Sequence, residues 1–102
     1  MERDEAFMVV VEFDTSPENQ DRALEEIGAY VAEFLSRQDG FQRSFLSRST
    51  DGKGLVHCAL WRSEADFDAA GVKAREHPAM PGLRQYQPRG QRYQVWQEFR
   101  GD

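Results

Sequence analysis

The chain has 102 residues, of which 39% are hydrophobic and 30% are charged, and its formal net charge is -5. This length predicts a single domain spanning residues 1–102, and the composition is typical of a soluble globular protein. An acidic chain lacks the basic surface that nucleic acids and anionic membranes attract, so neither is expected as a partner.

The location of the protein is predicted from its single cysteine and its N-terminus. With Cys58 alone, no intramolecular disulfide can form, which favours a reducing compartment. The N-terminus carries acidic residues where a secretory signal carries bases, and its apolar run is short. No stretch approaches the ~18 apolar residues of a membrane span. We therefore expect a cytoplasmic protein.

The first predicted element is a strand over Phe7–Phe13, because this run is β-branched and aromatic. Such a strand needs cover on both sides of its sheet. Alternation gives it two apolar faces, one with Phe7, Val9, Val11 and Phe13 and the other with Met8 and Val10.

A helix is predicted next, with Ser16 as N-cap and Pro17 at the first helical position. It should end near Gln38, since Gly40 suits a left-handed C-terminal cap. Its inward face is marked by apolar residues at helical spacing, namely Leu24, Ile27, Tyr30, Val31, Phe34 and Leu35.

A hairpin follows the first helix. The Asp51-Gly52 pair is a strong turn signal, and it joins a strand predicted over Phe41–Arg48 to one over Leu55–Trp61. Ser63 and the acidic residues after it resemble a capping box, which begins a second helix ending at about Arg75.

The C-terminal part contains a loop and a strand. Prolines and glycines predict a loop over His77–Gly90, with a short helical turn at Gly82–Tyr86. A fourth strand is predicted over Gln91–Phe99. The resulting order, βαββαβ, predicts an α+β, ferredoxin-like fold with an antiparallel four-stranded sheet.

The two predicted helices cover only one face of that sheet. The other face is also apolar, which predicts contact with a second sheet and hence a homodimer. The residues that suggest this contact are Met8, Val10, Val56, Leu60 and Trp96.

The segment from Gly40 to Ala70 includes a strand that ends in Trp61, followed by Ser-Glu and then by Phe67. This Trp-x-Ser-Glu-x-x-Phe pattern resembles the antibiotic biosynthesis monooxygenase family, and the likeness extends over nearly the whole chain. The resemblance implies a dimeric α+β barrel with a pocket between sheet and helices in each subunit. It also implies oxidation of a small phenolic, polyketide-like aromatic substrate by O₂ as co-substrate, without metal or flavin.

Three residues are candidates for catalysis through this resemblance. Trp61 matches the family's pocket tryptophan, whose indole N–H donates to a substrate oxygen or a peroxide; the alternative is a buried core aromatic. His57 shares its strand face and stands where well-known members carry Asn. Its imidazole could deprotonate a phenol, or it could be hydrogen-bonded within the sheet or at the dimer contact. Arg84 corresponds to an arginine that faces the substrate in some members, and Arg75, Arg89 and Arg92 compete for this role.

Aromatic residues are the candidates for substrate binding. Phe67 stands where some members carry Tyr, and it can pack against a substrate ring or belong to the core. The further candidates are Tyr86, Phe45 and Phe34. The two histidines have no companion ligand at metal-site spacing, so no metal is expected. The resemblance implies that no other cofactor is needed.

Two other functions stay open. The same pocket could catalyse a cyclisation or isomerisation of a polyketide-like substrate without O₂, and the histidine at position 57 favours this alternative. The domain could also be a non-catalytic ligand-binding or structural dimer, since this fold hosts many functions. A closed, partly apolar cavity beside Trp61 would favour an enzyme, whereas a cavity filled by phenylalanines would favour the non-catalytic alternative.

Overall fold

The structure, a computed structural model, describes residues 6–102. The acidic residues Glu2, Asp4 and Glu5, which count against a secretory signal, lie outside this described part. In chain order the elements are β1 (Phe7–Asp14), α1 (Gln20–Glu33), β2 (Phe41–Arg48), β3 (Gly54–Trp61), α2 (Glu64–Ala74), α3 (Met80–Leu83) and β4 (Arg89–Gln94), with 3₁₀ turns at Leu35–Arg37 and Arg84–Tyr86.

The four strands form one sheet in the order β2-β3-β1-β4, and every neighbouring pair is antiparallel. Together with the helices that follow β1 and β3, this is the ferredoxin-like α+β fold, as predicted. The two central strands, β1 and β3, pair over eight positions from Phe7 opposite Trp61 to Asp14 opposite Gly54.

The alternation predicted for β1 is confirmed, and β3 follows the same rule. On β3 every second side chain is buried beneath the helices, namely Leu55, His57, Ala59 and Trp61. On β1 the buried set is Phe7, Val9 and Phe13. The opposite face of the sheet carries half-buried Met8, Val10, Val56, Cys58 and Leu60.

The first helix begins later than predicted. Its N-cap is Asn19, and residues 17–19 form a turn instead of the first helical turn. Ser16 and Asn19 satisfy each other, because the Ser16 N–H donates to Asn19 Oδ1 (2.8 Å) and the Asn19 N–H donates to Ser16 Oγ (3.3 Å). This local pair replaces the Ser16 cap expected from the sequence.

The second helix begins as predicted. Ser63 is its N-cap, with its side-chain oxygen accepting the Asp66 N–H at 3.1 Å. The short helical turn predicted at residues 82–86 is also present, as the end of α3 and the 3₁₀ turn after it.

The last strand ends five residues before the predicted boundary. Its pairing stops where Gln94 lies opposite Phe7, the first residue of β1, so no further β1 strand residue is available as a partner. Trp96 lies beyond the end of this strand and is 84% exposed. It is therefore not part of the second sheet face, where the sequence pattern had placed it.

The core beneath the helices divides into two clusters. One lies between the sheet, α1 and α3 and contains Phe13, Ala23, Ile27, Leu55, Leu83 and Tyr86. The other lies between the sheet and α2 and contains Phe7, Val9, Ala59, Trp61 and Ala70. Within residues 6–102, no helix is both long and apolar enough to cross a membrane.

Gly40 is the glycine on which the start of β2 depends. Its φ is +86°, and a Cβ at this position would overlap the Asp66 side chain. That side chain is held in place by Arg62 Nε at 2.7 Å and by Ser63 Oγ at 2.9 Å. We expect Gly40→Ala to lower the free energy of unfolding by at least about 2 kcal/mol, combining left-handed strain with the overlap.

Gly82→Ala is the matched control in urea unfolding followed by circular dichroism. Gly82 lies in α3, and a Cβ there would meet no heavy atom within 4 Å. Its substitution should change the free energy of unfolding by about 1 kcal/mol or less, in the stabilising direction. Equal effects of the two substitutions would contradict the role given to Gly40.

Candidate functional site

A cavity of about 230 Å³ lies between the sheet and the helices. It forms where the two core clusters fail to meet, because its lining takes Phe13, Ile27 and Leu83 from the first and Ala70 from the second. The remaining lining residues are Val11, Tyr30, Val31, Leu35, His57, Phe67, Gly71, Ala74, Met80 and Pro88. No lysine, arginine, aspartate or glutamate belongs to this described lining.

Small residues on α2 leave the space open. The helix presents Ala70, Gly71 and Ala74 to the cavity. A Cβ added at Gly71 would find no heavy atom within 4 Å. Larger side chains at these positions would let α2 fill the gap, so its sequence accounts for the cavity directly.

His57 is the imidazole of the cavity. Its side chain projects from β3 into the helix-covered face, and the residue is only 4% exposed. Its Nε2 is fully buried and has no hydrogen-bond partner among residues 6–102. Burial lowers the pKa of His57 below its ordinary value, which favours the neutral ring near neutral pH. The site thus holds a free base in apolar surroundings.

Trp61 lies on the same strand face, four residues further along β3. It is fully buried, and its Nε1 also lacks a partner within the described chain. Its ring meets Phe41 and Phe67 edge-on, with centroids 5.3 and 5.5 Å away. Trp61 is outside the cavity lining, whereas Phe67 belongs to it, so Phe67 contacts both the cavity and the indole.

Arg92 on β4 packs against Phe67 at one side of the site. Its guanidinium lies 5.0 Å from the centre of the Phe67 ring. The same group forms ion pairs at 2.8 Å with Glu64 and with Asp68, both on α2. Arg92 therefore ties α2 to the edge of the sheet and is the arginine that contacts a cavity-lining aromatic ring.

Two of the predicted site residues line the cavity, and two others, the tryptophan of β3 and Phe34, contact lining residues from outside it. His57 and Phe67 belong to the lining. The Phe34 ring packs against Tyr30, at a centroid distance of 5.4 Å, and against His77 at 4.7 Å, outside the lining. Phe34 therefore supports the wall instead of forming it.

Phe45 does not face the cavity. A bulge between Phe41 and Arg43 shifts the register of β2 against β3, so that Phe45 lies opposite Cys58 on the other face of the sheet. There it is 59% exposed. Without the bulge, simple alternation would have put Phe41 and Phe45 on the same face.

Arg84 and Tyr86 also lie away from the cavity. Arg84 is exposed, because in the 3₁₀ turn the neighbouring inward positions are taken by Leu83 and Tyr86. The buried Tyr86 hydroxyl donates to the Glu26 carboxylate, and Arg22 donates to the same hydroxyl at 3.4 Å. Tyr86 therefore fastens α3 to α1.

The sequence reading missed Tyr30 as a site residue. It placed Tyr30 on the inward face of the first helix as a core position, and the structure adds that this residue lines the cavity. A hydroxyl on an otherwise aliphatic and aromatic helix face was the available signal.

Other depressions in the described part of the chain are not enclosed sites of this kind. A wider depression of about 420 Å³ is open to solvent and lined by charged residues, including Arg89 and Asp14, which pair with each other at 3.0 Å. Within residues 6–102, no cluster of three or more His, Cys, Asp or Glu side chains is arranged to hold a metal ion.

Comparison with known proteins identifies the family. The family model described as antibiotic biosynthesis monooxygenase matches residues 6–71. The chain is 32% identical over 72 residues to a tetracenomycin-F1 monooxygenase from Streptomyces glaucescens, an alignment covering 71% of this chain. The same alignment spans 64% of the relative, which is under two thirds of its length.

Solved structures share the fold. The monooxygenase from ActVA-Orf6 of Streptomyces coelicolor, in complex with nanaomycin D, has a TM-score of 0.81 and 23% identity, covering 96% of this chain and 94% of that one. SnoaB, a cofactor-independent oxygenase from Streptomyces nogalater, has a TM-score of 0.72 and 24% identity, covering 94% and 97%. At these identities the two likenesses establish the fold alone.

The lowered pKa of His57 predicts a pH dependence of stability. The unfolded chain takes up the imidazole proton at about pH 6.5, whereas the folded protein does so only at lower pH. Stability from the neutral buried ring is therefore complete above pH 6.5 and declines as the pH falls towards the folded pKa. This component can reach about 1.4 kcal/mol per pH unit.

Urea unfolding of wild type and His57→Gln between about pH 8 and pH 5 tests this expectation. The carboxylates are common to both proteins, so their difference isolates the histidine. Wild type should lose more stability on acidification than the variant. Parallel pH profiles would show that His57 titrates alike in the folded and unfolded chains.

Proposed function

Because the chain belongs to the antibiotic biosynthesis monooxygenase family, we propose that it is a cofactor-independent oxygenase of a phenolic, polyketide-like aromatic substrate. The observation that carries the proposal is the His57 imidazole, which lines an apolar cavity and whose buried Nε2 has no hydrogen-bond partner among residues 6–102. A phenol entering this cavity would meet one strong hydrogen-bond acceptor, and the apolar walls would hold its ring.

The proposed reaction needs no outside reductant. His57 takes the phenol proton, and the electron-rich ring then reduces O₂ and binds it as a peroxide at a ring carbon. When the O–O bond breaks, one oxygen stays on the ring as a quinone carbonyl and the other leaves as water. That water carries away the phenol hydrogen and the hydrogen of the attacked carbon, so the substrate supplies every electron that O₂ requires.

Trp61 is the proposed donor to the developing oxygen anion. A buried N–H without a partner costs about 1–3 kcal/mol, and a substrate or peroxide oxygen would recover this loss. Phe67 contacts the indole ring and borders the cavity, so its ring must turn aside for that contact to form. Arg84 has no part in the proposed mechanism, since its side chain is exposed.

The absence of a cofactor is part of the proposal. Among the described residues, the cavity lining offers one imidazole and no carboxylate or thiol, which is a poor ligand set for a metal ion. The structural relative SnoaB is described as cofactor-independent. Both points support direct reaction of the substrate with O₂.

A second candidate function is a proton-transfer reaction such as cyclisation or isomerisation. His57 favours it, because a neutral buried imidazole serves as a base whether or not O₂ takes part. Incubation under argon separates the two functions. The oxygenase should be inactive there, whereas an isomerase should turn over at an unchanged rate.

We also infer that two copies associate through the helix-free face of the sheet. Its half-buried centre is apolar, and exposed Phe45 and Tyr93 extend it towards both sheet edges. A second sheet packed on this face would remove these side chains from water.

Oxygen uptake tests the proposed oxygenase. With anthrone as substrate, wild type should consume O₂ and produce anthraquinone, measured with an oxygen electrode and by absorbance. His57→Ala should lower kcat by about 10²–10⁴-fold through loss of the base. Trp61→Phe should lower it by about 10²-fold through loss of one donor.

Glu25→Gln is the control for this assay, since Glu25 is exposed on α1. The proposal fails if both site variants oxidise anthrone at the wild-type rate while remaining folded. A fall confined to one of them would limit the catalytic assignment to that residue.

The predicted dimer is tested by light scattering coupled to size exclusion. Wild type should have about twice the 11.8 kDa chain mass. Val10→Glu places a charge at the centre of the apolar face and should yield monomers, because burying it would be costly. Glu25→Gln should remain dimeric, and a monomeric wild type would contradict the inference.

A further inference from the structure

The cavity contains two polar side chains. Among its described lining residues, only His57 and Tyr30 carry a side-chain nitrogen or oxygen, and all the others are aliphatic, aromatic, proline, glycine or thioether side chains. A ligand there has two side chains with which to form hydrogen bonds. Tyr30 is therefore as relevant to the choice of substrate as His57.

Tyr30 is held rigidly at the wall. It projects from α1 alongside Ile27 and Val31, which also line the cavity. Its ring packs against Phe34 at 5.4 Å and edge-on against His77 at 5.2 Å. His77 is itself fixed, because its Nδ1 accepts the Ala79 N–H at 3.0 Å. The aromatic ring thus has little freedom, and its hydroxyl is its one polar atom.

That hydroxyl is available to a ligand. Within residues 6–102 it forms no hydrogen bond, in contrast to the hydroxyl of Tyr86, which both Glu26 and Arg22 engage. Burial raises the pKa of Tyr30 to about 12, so the group stays a phenol and acts as a donor throughout the physiological range. His57 offers an acceptor, and Tyr30 offers a donor.

We propose that Tyr30 is a specificity-determining residue that binds a second substrate oxygen while His57 binds the first. The cavity would then select uncharged aromatic molecules that carry a second oxygen, and it would reject carboxylates, because no cationic side chain belongs to its described lining. This inference rests on the proposed function for its choice of phenols, yet it concerns binding and is measurable without turnover.

The test uses naphthol and a dihydroxynaphthalene whose hydroxyls lie on opposite rings, with affinities measured by calorimetry under argon. Wild type should bind the diol more tightly, by about 2- to 13-fold for one added hydrogen bond. In Tyr30→Phe this preference should fall below about 2-fold, while naphthol affinity stays nearly constant. Tyr93→Phe, with its hydroxyl on the opposite face of the sheet, should retain the preference.

Three results would overturn the inference. Tyr30→Phe could retain the preference for the diol, or it could weaken both ligands equally, as expected of a purely structural residue. Ionised naphthoic acid could bind as tightly as naphthol, where about tenfold weaker binding is expected.

The proposed function can fail separately. A wild type that prefers the diol through Tyr30 but consumes no O₂ would support this inference and contradict the oxygenase. Oxygen uptake that depends on His57, combined with an unchanged preference in Tyr30→Phe, would support the oxygenase and contradict this inference.

Discussion

The pairing of β1 with β3 determines what the rest of the molecule can do. Its eight-residue register puts the aromatic and aliphatic side chains of β1 on the same face as Leu55, His57, Ala59 and Trp61 of β3. A shift by one residue would turn His57 and Trp61 to the opposite face. The apolar side chains of Leu55 and Trp61, near the two ends of the register, oppose that shift, since it would turn both out of the core.

The helices cover this face unevenly, and the unevenness creates the site. On one side, α1 and α3 pack tightly, with Tyr86 joining them through Glu26 and Arg22. On the other side, α2 contributes alanines and a glycine and leaves space above His57. The buried Nε2 of His57 has no partner among residues 6–102, which is costly in a core, and the proposed substrate site would account for it.

Much of this architecture could be predicted from the sequence, because it depends on local patterns. Alternation assigned the faces of the central strands, Ser63 marked the start of α2, and the Asp51-Gly52 turn placed the hairpin. The same-face relation of His57 and Trp61 followed from spacing alone. These features need no knowledge of distant contacts.

The features that were missed depend on contacts between distant parts of the chain. The bulge that moves Phe45 to the outer face is a property of the β2–β3 pairing, and spacing along β2 alone predicts the wrong face. The start of α1 depends on the mutual bonds of Ser16 and Asn19, and the exposure of Arg84 depends on how α3 docks. Tyr30 has the spacing of a core residue, and only the cavity beside it, which the sequence does not reveal, distinguishes it from one.

A crystal structure with bound naphthol would test the central claim most directly, which is that the space beside His57 is a substrate site. The phenolic oxygen should lie within about 2.6–3.2 Å of a His57 ring nitrogen, with the rings between α2 and the sheet. A collapsed cavity, or a ligand bound elsewhere while His57 bonds to a protein group, would contradict the claim.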